Sequence, residues 1–279
     1  MDLTASSLGI GWRPQIALWI ERRRDLRFVE IVAENIDHDH VPQPLEILRQ
    51  RGVAIIPHGI SLSLGGAERV ERSRIQRLAN LARRLGSPMV SEHIAFVRAD
   101  GVEAGHLLPI PRSKIAIDTL VDNVKVAQDL LPVPLALENI AALFEWPATQ
   151  MNEAEFLAEI LDRTGASLLL DLANIWANAA NHGGDPVQTL EQLPLHRVAY
   201  VHVAGGEMRD GVYHDTHAGP VCMEVLRLVQ ELCARREPPG VMLERDDHFP
   251  SDVQLSRELD AIVDAMGSGA KAREACHVV

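Results

Sequence analysis

Short apolar runs alternate with amphipathic segments eight times along this chain, and no other feature constrains its fold as strongly. The runs are Leu8–Trp12, Phe28–Val32, Val53–Pro57, Pro88–Ser91, Val133–Leu137, Ser167–Leu170, Val198–Val203 and Gly240–Leu243. They are unbroken rather than alternating, the pattern of a strand covered on both faces. Helices are expected between them, near Pro14–Arg23, Leu45–Gln50, Ala67–Leu85, Ser113–Leu130, Glu153–Leu161, Val187–Leu193, Val221–Arg235 and Val253–Ala265. The clearest carries Val70, Ile75, Leu78, Leu81 and Leu85 at helical spacing, with Gly86 to stop it. Such alternation predicts a parallel sheet with helices outside. Eight units in 279 residues favour closure into a (β/α)8 TIM barrel over an open doubly wound sheet. No Gly-x-Gly-x-x-Gly follows the first run, so a dinucleotide site has no support. No linker divides the chain; a single domain is expected over residues 1–266, with a small polar tail at 267–279 expected to fray. The stretches around Gly101 and Gly105, the polar stretch between the sixth run and the helix near Val187, and AGGEMRDGVYHDTHAGP after the seventh run, read as loops.

Composition narrows the function classes. No apolar run approaches the roughly 18 residues of a membrane span. The N-terminus lacks the basic-then-apolar layout of a signal peptide, so a cytoplasmic protein without a membrane role is expected. A net charge of −12 argues against broad nucleic-acid binding. Cys222, Cys233 and Cys276 are too irregularly spaced for a disulfide framework or a zinc knuckle, and none is expected to bind metal. Histidine is the enriched metal-capable residue, with 12 in the chain.

The ends of the runs carry the chemistry. His58, His93, Glu138, Asp171, His202 and Glu244 each follow or close an apolar run. In a barrel these positions converge on the C-terminal face, where active sites sit. Asp171 alone reads equally well as the cap of a following helix, and a lone histidine there is more often a hydrogen-bonded structural residue. Six consecutive strands ending this way call for a shared cause. Three carboxylates on one face repel one another, and divalent cations neutralise them economically. Imidazole with carboxylate, and no thiolate, suits Fe, Zn or Mn. Asp215 and His217 after the seventh run, and Asn174 one turn beyond Asp171, extend the set to nine. Nine ligands exceed what one ion uses, so two or three ions sharing a bridging carboxylate are expected.

At this point the chain resembles two families of xylose-isomerase-like barrels. One includes the trinuclear zinc endonuclease IV enzymes. The closer likeness is to the multinuclear non-heme iron-dependent oxidative enzymes, typified by the methanobactin biosynthesis enzyme. It rests on HGISLSLG (58–65), SEHIAF (91–96), LLPIP (107–111), LEN (137–139), LLLDLANIWANAANHGGDP (168–186), VHVAGG (201–206), DTHAGPV (215–221) and LERDD (243–247). These phrases span nearly the whole chain.

The resemblance implies two or three iron ions, mixed-valent Fe2+/Fe3+, with O2 as co-substrate and Zn or Mn as ions carried through purification. It implies a cysteine-containing, ribosomally made precursor peptide as substrate, and a small partner protein that captures the peptide's leader. Its ligand pattern gives His58, His93 and Glu138 to one ion. Glu138 then bridges to a second with Asp171, His202 and Glu244, and Asn174, Asp215 and His217 hold a third. Glu34, Asn35, Asn139, His214, Arg245 and Asp246 fall to supporting or substrate-facing roles. Two departures bear on the substrate: Arg245 stands where an aromatic residue is usual, and IAALFEW replaces serine-rich text after Asn139. Metal-dependent phosphodiester hydrolysis, and a barrel that binds metal and peptide without turnover, stay open. Sugar isomerisation does not fit, because no lysine follows any of these strand ends.

Overall fold

A computed structural model describes Leu3 and residues 6–277, with side chains as far as Ala275. In chain order its strands are β1 (Ser7–Gly11), β2 (Phe28–Val32), β3 (Ala54–Gly59), β4 (Val90–His93), β5 (Phe96–Ala99), β6 (Val102–Leu108), β7 (Leu135–Glu138), β8 (Ser167–Asp171), β9 (Val198–Val203), β10 (Gly205–Arg209), β11 (Val212–Gly219) and β12 (Gly240–Leu243). The helices are α1 (Ala17–Arg22), α2 (Gln43–Gln50), α3 (Arg72–Leu85), α4 (Lys114–Leu130), α5 (Glu153–Thr164), α6 (Leu172–His182), α7 (Pro186–Gln192), α8 (Met223–Arg235) and α9 (Asp252–His277). Strands β1, β2, β3, β4, β7, β8, β9 and β12 pair in parallel and close a (β/α)8 barrel, with β12 returning to β1. The expected fold is the observed one.

Period two along the strands sorts the interior into layers. The lower layer is apolar: Phe28, Ile56, Ala136, Leu169, Tyr200 and Met242 pack in one buried cluster. Two residues further along the same strands stand Glu30, His58, Glu138, Asp171, His202 and Glu244, all buried. The floor is tightly fitted. A Cβ on Gly9 would lie 2.4 Å from the Phe28 ring, so the missing side chain on β1 makes room for that ring. The larger apolar core lies between the strands and the surrounding helices, where Ile75, Leu120, Ile160, Leu228 and Leu259 are fully or almost fully buried.

Four segments differ from the sequence expectation. Both supposed loops contain antiparallel hairpins, β5–β6 and β10–β11. Each turns on Asp-Gly, Asp100-Gly101 (φ 50° and 72°) and Asp210-Gly211 (φ 50° and 82°). Two residues with positive φ match the right-handed strand twist, and Asp-Gly supplies them at least steric cost. The polar stretch after Asp171 is helix α6, whose polar side chains hold neighbouring loops. The last helix does not end near 266 but runs to His277. Gly269 lets it lie against α8, since a Cβ there would meet the Gln230 carbonyl at 2.4 Å. Arg273 then donates to the Cys233 carbonyl (2.9 Å) and pairs with Glu237 (3.1 Å).

Candidate metal centre

Strands β3, β4 and β7 bring three ligand atoms together. His58 Nε2 lies 3.3 Å from His93 Nε2, and each lies 3.4 Å from Glu138 Oε2. A cation with ligands at about 2.0–2.1 Å holds tetrahedral neighbours about 3.3–3.4 Å apart. The outer ring nitrogens are occupied elsewhere: His58 Nδ1 meets Ser91 Oγ at 2.8 Å, and His93 Nδ1 meets the Gly59 carbonyl at 3.2 Å. Both Nε2 lone pairs are thereby turned toward Glu138, the arrangement of a metal-ligating histidine.

The other Glu138 oxygen faces a second group. Oε1 is 3.4 Å from His202 Nδ1, which is also 3.0 Å from Glu244 Oε2 and 3.9 Å from Asp171 Oδ2. One carboxylate thus presents an oxygen to each of two groups. A third group comprises Asp171, His217 and Glu244, with His217 Nδ1 3.5 Å from Glu244 Oε1. Of the expected trio of Asn174, Asp215 and His217, two stand together, with Asp215 Oδ2 2.7 Å from His217 Nε2.

Orphaned polar atoms test whether these residues fit cations. Burying a polar atom without a partner is costly. Glu138 Oε2, Asp171 Oδ2, Asn174 Oδ1, His202 Nδ1 and Asp215 Oδ1 are all buried and lack a hydrogen-bond partner. All five belong to the nine expected ligands. Asp171 serves in two ways: Oδ1 caps α6 by accepting from the Asn174 amide (2.8 Å), while Oδ2 stays free. Asn139 fixes this corner. Its amide both donates to and accepts from the Asp171 backbone at 2.9 Å, and its carbonyl accepts from Asn174 Nδ2 at 2.9 Å, leaving Asn174 Oδ1 as the free atom.

Between the side chains themselves, negative charge dominates. Burial opposes charge on His93, yet Glu138 and Glu92 raise its pKa to about 9. Burial likewise opposes charge on His202 and His217, but the surrounding carboxylates push both well above the usual value. His58 goes the other way, driven down by burial and then by His93 and His202. Burial, Asp215 and Glu138 push Asp171 well up, whereas Glu244 is held low against burial by His217 and His202. The cluster attracts positive charge, whether as protons or as cations.

The remaining expected residues separate by role. Asp246 joins His217 Nδ1 (3.0 Å) to the Arg13 guanidinium. Arg245 is buried, donating to the Ala218 carbonyl (2.5 Å) and to both Glu258 oxygens (2.6 and 2.8 Å), so it anchors the β11 end. Glu34 accepts from the Ile60 amide (3.1 Å) and lines the cleft over the centre; Asn35 lines an adjoining pocket. His214 lies opposite Glu207 in the β10–β11 hairpin and joins no metal-capable group among the described residues. Cys222 precedes α8 and Cys233 lies within it, and neither joins a metal-capable group among the described residues; the Cys276 side chain lies outside them.

Sequence reading passed over Glu30, Tyr200, Ser91 and Arg13 as site residues. Glu30 Oε2 accepts from Tyr200 (2.5 Å) and His202 Nε2 (2.9 Å), and Arg13 Nη2 lies 3.5 Å from Glu244 Oε1. The missed signal is the period-two rule. Glu30 stands two residues after Phe28 just as His202 stands two after Tyr200, so it belongs to the same layer.

The chain is thus an eight-stranded parallel barrel with metal-capable residues at its strand ends. Its backbone resembles a xylose isomerase domain protein from Planctomyces limnophilus (TM-score 0.56, 12% identity, 99% of this chain and 100% of that one). It also resembles endonuclease IV from Thermus thermophilus (TM-score 0.62, 19% identity, 92% and 99%). At these identities the likeness is one of fold. Family membership is specific: residues 7–266 match the family described as RiPP precursor modification enzyme MbnB/TglH/ChrH, and the chain belongs to it. A Streptomyces avermitilis protein named only as UPF0276 is 54% identical over 261 residues. The match takes in 91% of this chain and 54% of that relative, so the chain spans about half its length.

Proposed function

We propose that this chain is an iron enzyme that uses dioxygen to modify cysteine in a ribosomally made precursor peptide. The observation that carries the metal part is the set of five buried, unpartnered donor atoms around Glu138. His58, His93 and Glu138 would hold one ion, and Glu138, Asp171, His202 and Glu244 a second. Asp215, His217 and Asn174 would hold a more weakly bound third, with Asp171 and Glu244 close enough to share in it. The imidazole–carboxylate donor set suits iron, and zinc or manganese could occupy it on purification. Iron held there would supply one-electron redox chemistry and a coordination position for the substrate thiolate and dioxygen.

The chain's own residues do the rest. A cleft of about 510 Å³, lined by Glu34, His58, Ile60, His93, His106 and His217, leads from the surface to the ligands and suits a peptide side chain. The apolar floor keeps water from below the centre, and Asn139 and Asp246 hold their ligands in place. A helper protein is proposed to deliver the peptide, and modification of precursor by the isolated chain at full rate would remove the need for it. Among the described residues no helix is long and apolar enough to cross a membrane, in keeping with the proposed cytoplasmic setting.

The test is metal analysis of the purified protein, followed by oxygen consumption with a precursor peptide and its Cys→Ser counterpart. Iron at two or more per chain, with uptake only for the cysteine form, is expected. Zinc alone with cleavage of a phosphodiester would instead favour the hydrolytic reading that the endonuclease IV-like backbone keeps open.

A further inference from the structure

Between the ligand layer and Tyr200 of the floor runs a chain of buried hydrogen bonds that has no place in the ligand scheme above. Glu30 Oε2 accepts from Tyr200 Oη at 2.5 Å; Tyr200 Oη is 2.7 Å from Ser91 Oγ; Ser91 Oγ is 2.8 Å from His58 Nδ1. On its other side Glu30 Oε2 meets His202 Nε2 at 2.9 Å. All five residues are at most 3% exposed, so water does not compete for these bonds.

We propose that Glu30 is a positioning residue for two metal ions at once, setting through this chain which nitrogen of His58 and of His202 faces them. The direction follows from the donor inventory. A carboxylate only accepts, so the single Tyr200 proton points to Glu30. The Tyr200 oxygen must then accept from Ser91, whose own oxygen must accept from His58. His58 therefore carries its proton on Nδ1 and turns a bare Nε2 toward His93 and Glu138. By the same rule His202 carries a proton on Nε2, which leaves Nδ1 as the nitrogen that a cation beside Glu138 and Glu244 would meet. One buried acceptor selects opposite tautomers in two rings whose centres are 5.7 Å apart. Glu138 faces both groups through its two oxygens; Glu30 reaches the same two rings through their other nitrogens.

This inference rests on the metal reading but not on the peptide or the oxidation, and cobalt(II) tests it alone. Chelator-stripped protein is titrated with Co2+ while the visible absorption of the bound ion is followed. The Glu244→Ala background isolates the His58 side and the His93→Ala background the His202 side. Glu30→Gln should weaken both sides, each by about 10–100-fold, the usual effect of removing a partner of a ligating histidine. Ser91→Ala and Tyr200→Phe should weaken the His58 side and leave the His202 side within about twofold. In the Tyr200→Phe protein, Glu30→Gln should no longer touch the His58 side. That loss of coupling is a result general destabilisation does not give, and Tyr200→Phe keeps the ring packed edge-on against Phe28. An unchanged His58 side in Glu30→Gln, or equal effects of Glu30→Gln with and without the Tyr200 hydroxyl, overturns the proposal. Failure of the unmodified protein to bind cobalt at either side overturns the metal reading along with it.

Discussion

The two sides of the centre are built differently. His58, His93 and Glu138 stand on three adjacent barrel strands, at 3%, 8% and 2% exposure, and their outer atoms are tied into neighbouring strands. Asp215 and His217 stand on β11, outside the barrel sheet, and are partly exposed. His217 has φ 51°, a conformation that costs a non-glycine residue of order 1 kcal/mol or more. What holds it is a set of contacts made across loops: Asp246 on its ring, the Asp246 amide on its carbonyl (3.0 Å), and Arg245 on the next residue's carbonyl. A barrel strand places a ligand through many shared backbone bonds, whereas a hairpin places it through a few side chains. On the proposed reading, the strand side would be the permanent ion site, and the hairpin side the one that yields to substrate.

Glu138→Ala should break this comparison most forcefully, because Glu138 belongs to both groups. Without its shared negative charge, two cations a few ångströms apart repel with less offset, and their sites should weaken together. Elemental analysis should show both ions largely lost, and peptide-modifying activity with them. Retention of one full equivalent would show that the oxygens of Glu138 do not serve two ions.

Asn174→Ala separates the two sides. Its free Oδ1 is a neutral donor, so its loss should leave most of the metal in place while abolishing turnover. Equal metal loss in the Asn174 and Glu138 variants, or an active Asn174→Ala, would sink the idea of a labile hairpin-side ion.

Much of this was legible before any coordinates. Apolar runs ending in His, Glu or Asp give the barrel and most of the ligand layer, because hydrophobic burial and strand period dictate both. What escaped had a physical reason in each case. Glu30 sits inside the run FVEIV rather than after it, so a rule that looked only at run ends passed it by. The hairpins were announced by Asp-Gly, but their strands are polar and half-exposed, with no apolar run to mark them. Helix α6 reads as loop because of its asparagines. In the structure these are its attachment points: Asn178 holds the Ala142 amide (2.8 Å) and the Ile140 carbonyl (3.0 Å). Arg245 was open to a supporting or a substrate-facing role, and Glu258, thirteen residues on, draws it inward. No local pattern reveals such a partner.

Asp246→Asn should have a smaller effect, confined to the hairpin side. It keeps the side chain's size but weakens the charge-assisted bonds to His217 and Arg13. Affinity for the most weakly held ion should fall about 10-fold, the lower end for a residue supporting a ligand, while the two tighter ions are retained. Loss of a tight ion would mean that Asp246 and Arg13 support Glu244 more than His217.

The smallest effect is expected at Asn181, which touches no candidate ligand. Its side-chain amide donates to the Tyr213 carbonyl at 2.8 Å and accepts from the Tyr213 amide at 2.7 Å, pinning the middle of β10–β11 to α6. Asn181→Ala removes both bonds, each worth about 0.5–1.5 kcal/mol. The hairpin has two strands and no further sheet to lean on, and such a pair is marginal alone. The loss should therefore appear as local opening rather than as unfolding of the barrel. Hydrogen exchange should accelerate about 5- to 150-fold at β10 and β11, taking the two bonds as about 1–3 kcal/mol together. Amides of β3, β4 and β7 should stay unchanged, and the melting temperature nearly so. The same variant should shed the weakest ion faster without altering the other two. If the hairpin amides of the unaltered protein already exchange as slowly as those of the barrel strands, the two sides are equally rigid. The contrast between permanent and yielding sites would then fail at its structural root, whatever the metal counts show.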